Sequence, residues 1–68
     1  MTLDQAKRLR PGTLVHCPAD RGDGPYTGTV VGVDSVEFEN VMNVPYVLVE
    51  VQHSEHGTKH LWPSNRLS

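Results

Sequence analysis

The residues of this 68-residue chain best suited to chemistry are four histidines and one cysteine. His16 and Cys17 are adjacent, and His53, His56 and His60 follow at His-x2-His-x3-His spacing. Imidazole and thiolate ligate structural zinc, but the known patterns pair cysteines or combine two cysteines with two histidines at fixed spacings. No second cysteine or acid cluster completes such a set here. The histidines are therefore expected as solvated turn residues, and no metal is expected. Cys17, directly before Pro18, lacks the setting of a catalytic thiol and reads as a small buried hydrophobe. No catalytic residue is assigned.

The aromatic residues are Tyr26, Phe38, Tyr46 and Trp62. Aromatics gathered on a small barrel can cage a methylated cation, as Tudor-type barrels do. Phe38, between Glu37 and Glu39, is the natural core residue, which leaves three cage candidates. Asp20-Arg21-Gly22-Asp23-Gly24 contains Arg-Gly-Asp, a short match best read as a turn. Residues 1–10 set Lys7, Arg8 and Arg10 against Asp4. Residues 11–58 set Arg21 against seven acids, and Lys59 and Arg66 follow. An acidic middle and a pI near 6.0 do not supply the continuous basic face of a nucleic-acid binder, so nucleic acid is not expected as a partner.

These side chains must be positioned by a very small fold. A chain of this length forms one domain, 1–68, and buries only about 60% of its unfolded surface, so local geometry or association with another copy must supply stability. A lone cysteine excludes an internal disulfide, no apolar run reaches a membrane span, and MTLDQAKRLR has no apolar signal core. A soluble, cytoplasmic protein with no membrane partner is expected.

Residues 1–10 are predicted to form a helix. Thr2 and Gln5 have the spacing of a capping box, Leu3, Ala6 and Leu9 recur along one face, and Pro11 ends it. From Thr13 the pattern changes to period two. Strands are predicted at 13–17, 27–33, 36–39, 46–52 and 58–62, with Gly28 and Gly32 marking a bend or a close backbone approach. In YVLVEVQ, Val47, Val49 and Val51 form the core face, and Tyr46, Leu48, Glu50 and Gln52 the other. In TKHLW, Leu61 is the expected core residue, which places His60 and Trp62 outside. The fold class is all-β: a five-stranded barrel over 13–68 with a short N-terminal helix and a short 3-10 turn before the last strand.

Pro63-Ser64-Asn65, after an aromatic strand end, resembles the turn before the last strand of SH3 domains. Arg66 stands where those domains place a ligand-binding tyrosine, so this resemblance implies fold rather than ligand. A longer stretch is similar to the type II dihydrofolate reductases of plasmids and integrons, SH3-like barrels that work as homotetramers. PGTLVHCPADRGDGPYTGTVVGV resembles their opening strand, loop and Gly-x-(Ile/Val)-Val-Gly strand, with Tyr26 at the place of an aromatic. Glu55 to Pro63 resembles their segment His-Pro-Gly-Ser-Val-Gln-Ile-Tyr-Pro, whose Val-Gln-Ile-Tyr lines a pore where NADPH and dihydrofolate meet. By position, Lys59, His60, Leu61 and Trp62 stand for those four residues. The exchanges change the donors, acceptors and ring size, and Lys59 adds a charge repeated in every subunit. The resemblance implies a shared scaffold and an integron-cassette history ahead of a shared reaction.

The leading expectation is a non-enzymatic SH3-like binding module, homo-oligomeric, needing no cofactor. Its ligand or interface surface is expected at Tyr46, Leu48, Lys59, His60, Leu61 and Trp62, with Tyr26 as an accessory aromatic. The first alternative is a type II reductase-like oxidoreductase using NADPH at a subunit-interface pore. The second is a Tudor- or KOW-like reader of peptide or nucleic acid, which would need Lys7, Arg8, Arg10, Lys59 and Arg66 on one face.

Overall fold

A computed structural model describes residues 1–19 and 24–68; the Arg-Gly-Asp segment and its expected turn lie outside the described residues. A short helix α1 (Leu3–Lys7) precedes strands β1 (Leu14–Cys17), β2 (Tyr26–Glu39), β3 (Pro45–His53) and β4 (Lys59–Pro63), and a 3-10 turn spans Ser64–Arg66. The strands form one antiparallel sheet in the order β1-β2-β3-β4, curled into a half-barrel.

The capping box forms as its spacing predicts: Thr2 Oγ1 accepts from the Gln5 backbone N–H, and Gln5 Oε1 accepts from the Thr2 N–H. Ala6 is fully buried under this helix. Outside the core, Lys7 pairs with Glu37 at 2.6 Å, and the hydrogen bond to that carboxylate, together with its charge, raises the lysine pKa.

Two separate strands were expected at 27–33 and 36–39; they are one 14-residue strand, β2. The chain absorbs the bend through register shifts against β3 between Val30 and Gly32 and between Val33 and Glu37. Gly28 is a close approach: a Cβ there would run into Val51 Cγ1 and sit 3.0 Å from the Gln52 carbonyl oxygen. Among the described residues no strand follows the 3-10 turn. The expected last strand is reduced to Ser68, which exchanges two backbone hydrogen bonds with His16 at 2.8 and 3.2 Å.

The core contains Val15, Val30, Val47, Val49, Val51 and Leu67, with Trp62 6% exposed. The valine face of β3 is the core face, as alternation predicts. The faces of β4 are reversed from expectation. Leu61 is 63% exposed and Trp62 is buried. The register explains this: Trp62 lies opposite Val49 and so shares the core face, whereas Leu61 lies opposite Glu50. Phe38 is also a correction, at 41% exposure. The one-residue shift between Val30 and Gly32 reverses the phase of β2 and the shift before Glu37 preserves it, so Glu37 faces Val47 on the helix side and Phe38 pairs with Tyr46 outside.

Candidate functional site

Two features stand out on this scaffold, and they lie on different parts of the sheet. The first is a groove of about 480 Å³ whose lining includes His16, Cys17, Tyr26, His53, Glu55 and His56. The turn after β3 builds it. His53 Nδ1 accepts the backbone N–H groups of Glu55 (3.0 Å) and His56 (3.3 Å), so the neutral ring carries its proton on Nε2. The same ring stacks on Tyr26 with centroids 3.9 Å apart and meets His56 at 4.4 Å. The Gly57 N–H donates to the His53 carbonyl, and Gly57 takes φ 69°, a conformation that glycine adopts without Cβ strain.

Tyr26 links this groove to the core. Its hydroxyl accepts the Trp62 indole N–H at 2.8 Å, and the two rings meet edge to face. Arg66 lies 5.3 Å over the Trp62 ring. Burial pushes the Cys17 thiol pKa up, partly offset by a hydrogen bond with Tyr26. Three of the four histidines and the cysteine thus gather around one groove, while exposed His60 stands apart with Nε2 3.1 Å from Thr58 Oγ1. No group of three His, Cys, Asp or Glu among the described residues has the arrangement to hold a metal ion.

The second feature is the arm formed where β2 and β3 run on beyond their neighbours. Val36, Phe38, Val41, Met42 and Val44 are five of the seven large apolar residues exposed among the described residues; Leu14 and Leu61 are the others. Phe38 and Tyr46 stack at 5.6 Å on the outer face of the arm. Its tip is held by local hydrogen bonds. Asn40 Oδ1 accepts the N–H groups of Met42 (2.9 Å) and Val44 (3.0 Å), and the Asn40 and Val44 backbones are also bonded. Asn43 completes the turn at φ 58°, a region asparagine tolerates.

The expected surface is therefore divided. Tyr46, Leu48, Lys59 and Leu61 lie on the outer face, with Leu48 opposite Pro63 and Glu50 opposite Leu61; Trp62 lies inside and His60 opposite Val51. The four aromatics form two separate pairs, Tyr26 with Trp62 and Phe38 with Tyr46, rather than one cage. Comparison with known proteins finds no matching family model, no matching curated protein and no matching solved structure. No helix is long and apolar enough to cross a membrane.

The arm residues Val41, Met42 and Val44 were not among the expected site residues, because NVMNVP reads as a loop. Three large apolar side chains within six loop residues were the available signal, since a turn needs none of them for its geometry.

Proposed function

We propose that this chain is a small non-enzymatic binding module of SH3-like architecture that works as a homo-oligomer. The observation that carries the reading is the concentration of exposed apolar side chains on the β2–β3 arm, with Phe38 stacked on Tyr46. Contiguous apolar surface on so small a domain is costly in water and marks a contact site. Leu48, Leu61 and Lys59 extend the contact face along the sheet. The SH3-like assignment is supported by the curled antiparallel sheet, the 3-10 turn at Ser64–Arg66 and the hydrogen bonds that bring Ser68 beside β1.

The reductase-like alternative places NADPH against the segment Lys59 to Trp62. The Trp62 N–H is already donated to Tyr26 and its ring is buried, so such a site would rest on Lys59, His60 and Leu61. Light scattering across a range of concentrations, combined with NADPH titration followed by Trp62 fluorescence, separates the readings. A binding module self-associates and shows no saturable response to NADPH. A monomer at all concentrations sinks the proposal, and a tetramer with saturable quenching favours the reductase.

A further inference from the structure

We infer that self-association is reciprocal: the apolar tip of the arm in one copy docks into the groove between α1 and the chain end of a second copy. The inference rests on the homo-oligomeric reading above. Val41 is 101% and Met42 79% exposed, although their backbone is fixed by the Asn40 bonds. A projection whose backbone is already hydrogen-bonded has less ordering entropy to lose on contact, which favours binding. The receiving groove encloses about 440 Å³ and is lined by Met1, Gln5, Leu9 and Ser68, with mainly apolar walls.

Charge selects the second copy as occupant. The arm carries Asp34, Glu37 and Glu39 along β2, with Glu39 next to its apolar tip, and the chain at and just after the helix end, next to the groove residue Leu9, carries Lys7, Arg8 and Arg10. Within one copy the Lys7–Glu37 pair already joins these two surfaces at their near edge. Among the described residues, Glu39, Arg8 and Arg10 make no ion pair, and the copy's own tip stays out in solvent. Each copy therefore presents one acidic apolar knob and one basic apolar groove. A two-fold operation matches both at once, so the contact forms twice and closes. An anionic membrane is disfavoured as occupant by the acidic flanks of the tip.

Three variants test this, each altering exposed residues and each checked for native Trp62 fluorescence. Val41→Asp with Met42→Asp removes the knob. Glu39→Arg makes the arm less acidic, and Arg8→Glu with Arg10→Glu makes the groove rim acidic. Sedimentation velocity on the wild type is expected to show a dimer that weakens as salt rises. The knob variant is expected to dissociate at least tenfold more readily, and each charge variant to weaken. An equimolar mixture of the two charge variants is expected to recover association as a mixed dimer, because the altered arm then faces the altered rim.

A wild-type monomer overturns both this inference and the homo-oligomer reading. A wild-type oligomer unaffected by the knob variant overturns the docking mode alone. Loss of association in the knob variant without recovery in the charge mixture places the arm against another surface and overturns the groove assignment.

Discussion

The indole N–H of Trp62 donates to the hydroxyl of Tyr26 at 2.8 Å and so ties β4 to β2 across the intervening β3. This bond adds a side-chain link between two strands that share no backbone ladder. It also couples core and groove: the Tyr26 ring that holds Trp62 is the ring on which His53 stacks.

Tyr26→Phe keeps the ring and removes the hydroxyl. The Trp62 N–H then loses its partner in a part-buried position, a loss worth about 1–3 kcal/mol. Urea unfolding should show a lower midpoint with an unchanged slope, accompanied by a shift in Trp62 emission. An unchanged midpoint would mean that water replaces the tyrosine at no cost.

Gly28→Ala tests the close approach of β2 to β3. The added methyl meets the Val51 side chain, which can yield only by moving within the core, and the Gln52 carbonyl, which is part of the strand backbone. Overpacking of this kind costs about 1–3 kcal/mol. Gly32→Ala is the control, since nothing lies within 4 Å of a Cβ there. Equal thermal shifts for the two variants would show that strand entropy, not contact, governs both sites.

Period-two alternation made the core face of β3 legible, because Val47, Val49 and Val51 are three β-branched residues against a mixed partner face. The capping box was legible because it rests on local chemistry, whereas the helix expected over 1–10 ends at Lys7 with Arg8 as its C-cap, short of Pro11. Alternation in β4 separated Leu61 from Trp62 but could not say which faced inward. That depends on the strand's register, set by Val49 opposite Trp62, and on Tyr26 being placed to accept the indole N–H. Phe38 was misplaced because the one-residue register shift between Val30 and Gly32 reverses the phase of β2, and irregularities leave little trace in hydropathy. Gathering His16, His53 and His56 needs the sheet itself, since their sequence spacing spans forty residues.

Leu61→Ser and Trp62→Leu should therefore differ in kind. Leu61 loses an exposed apolar side chain, so stability should change by no more than about 0.5 kcal/mol. Trp62→Leu leaves a cavity, abandons the Tyr26 hydroxyl and removes the ring beneath Arg66, for a loss of about 3–5 kcal/mol. Denaturant titration followed by far-ultraviolet circular dichroism measures both. A larger loss from Leu61→Ser than from Trp62→Leu would reverse the faces of β4.

Cys17 gives the fold a pH dependence on the alkaline side. Burial disfavours the thiolate and holds the pKa above the ordinary value of 9.0, with the Tyr26 hydrogen bond a smaller opposing effect. Below 9.0 the thiol is protonated in both the folded and unfolded chains, and its contribution is intact. As pH rises past that value the unfolded chain ionises first and binds fewer protons than the folded one, so stability falls until the folded thiol also ionises. Unfolding midpoints measured from pH 7 upward, for the wild type and for Cys17→Ala, isolate this from other groups. The wild type should lose more stability above pH 9 than the variant. Parallel curves would mean that the thiol is as free to ionise in the folded protein as in the unfolded chain.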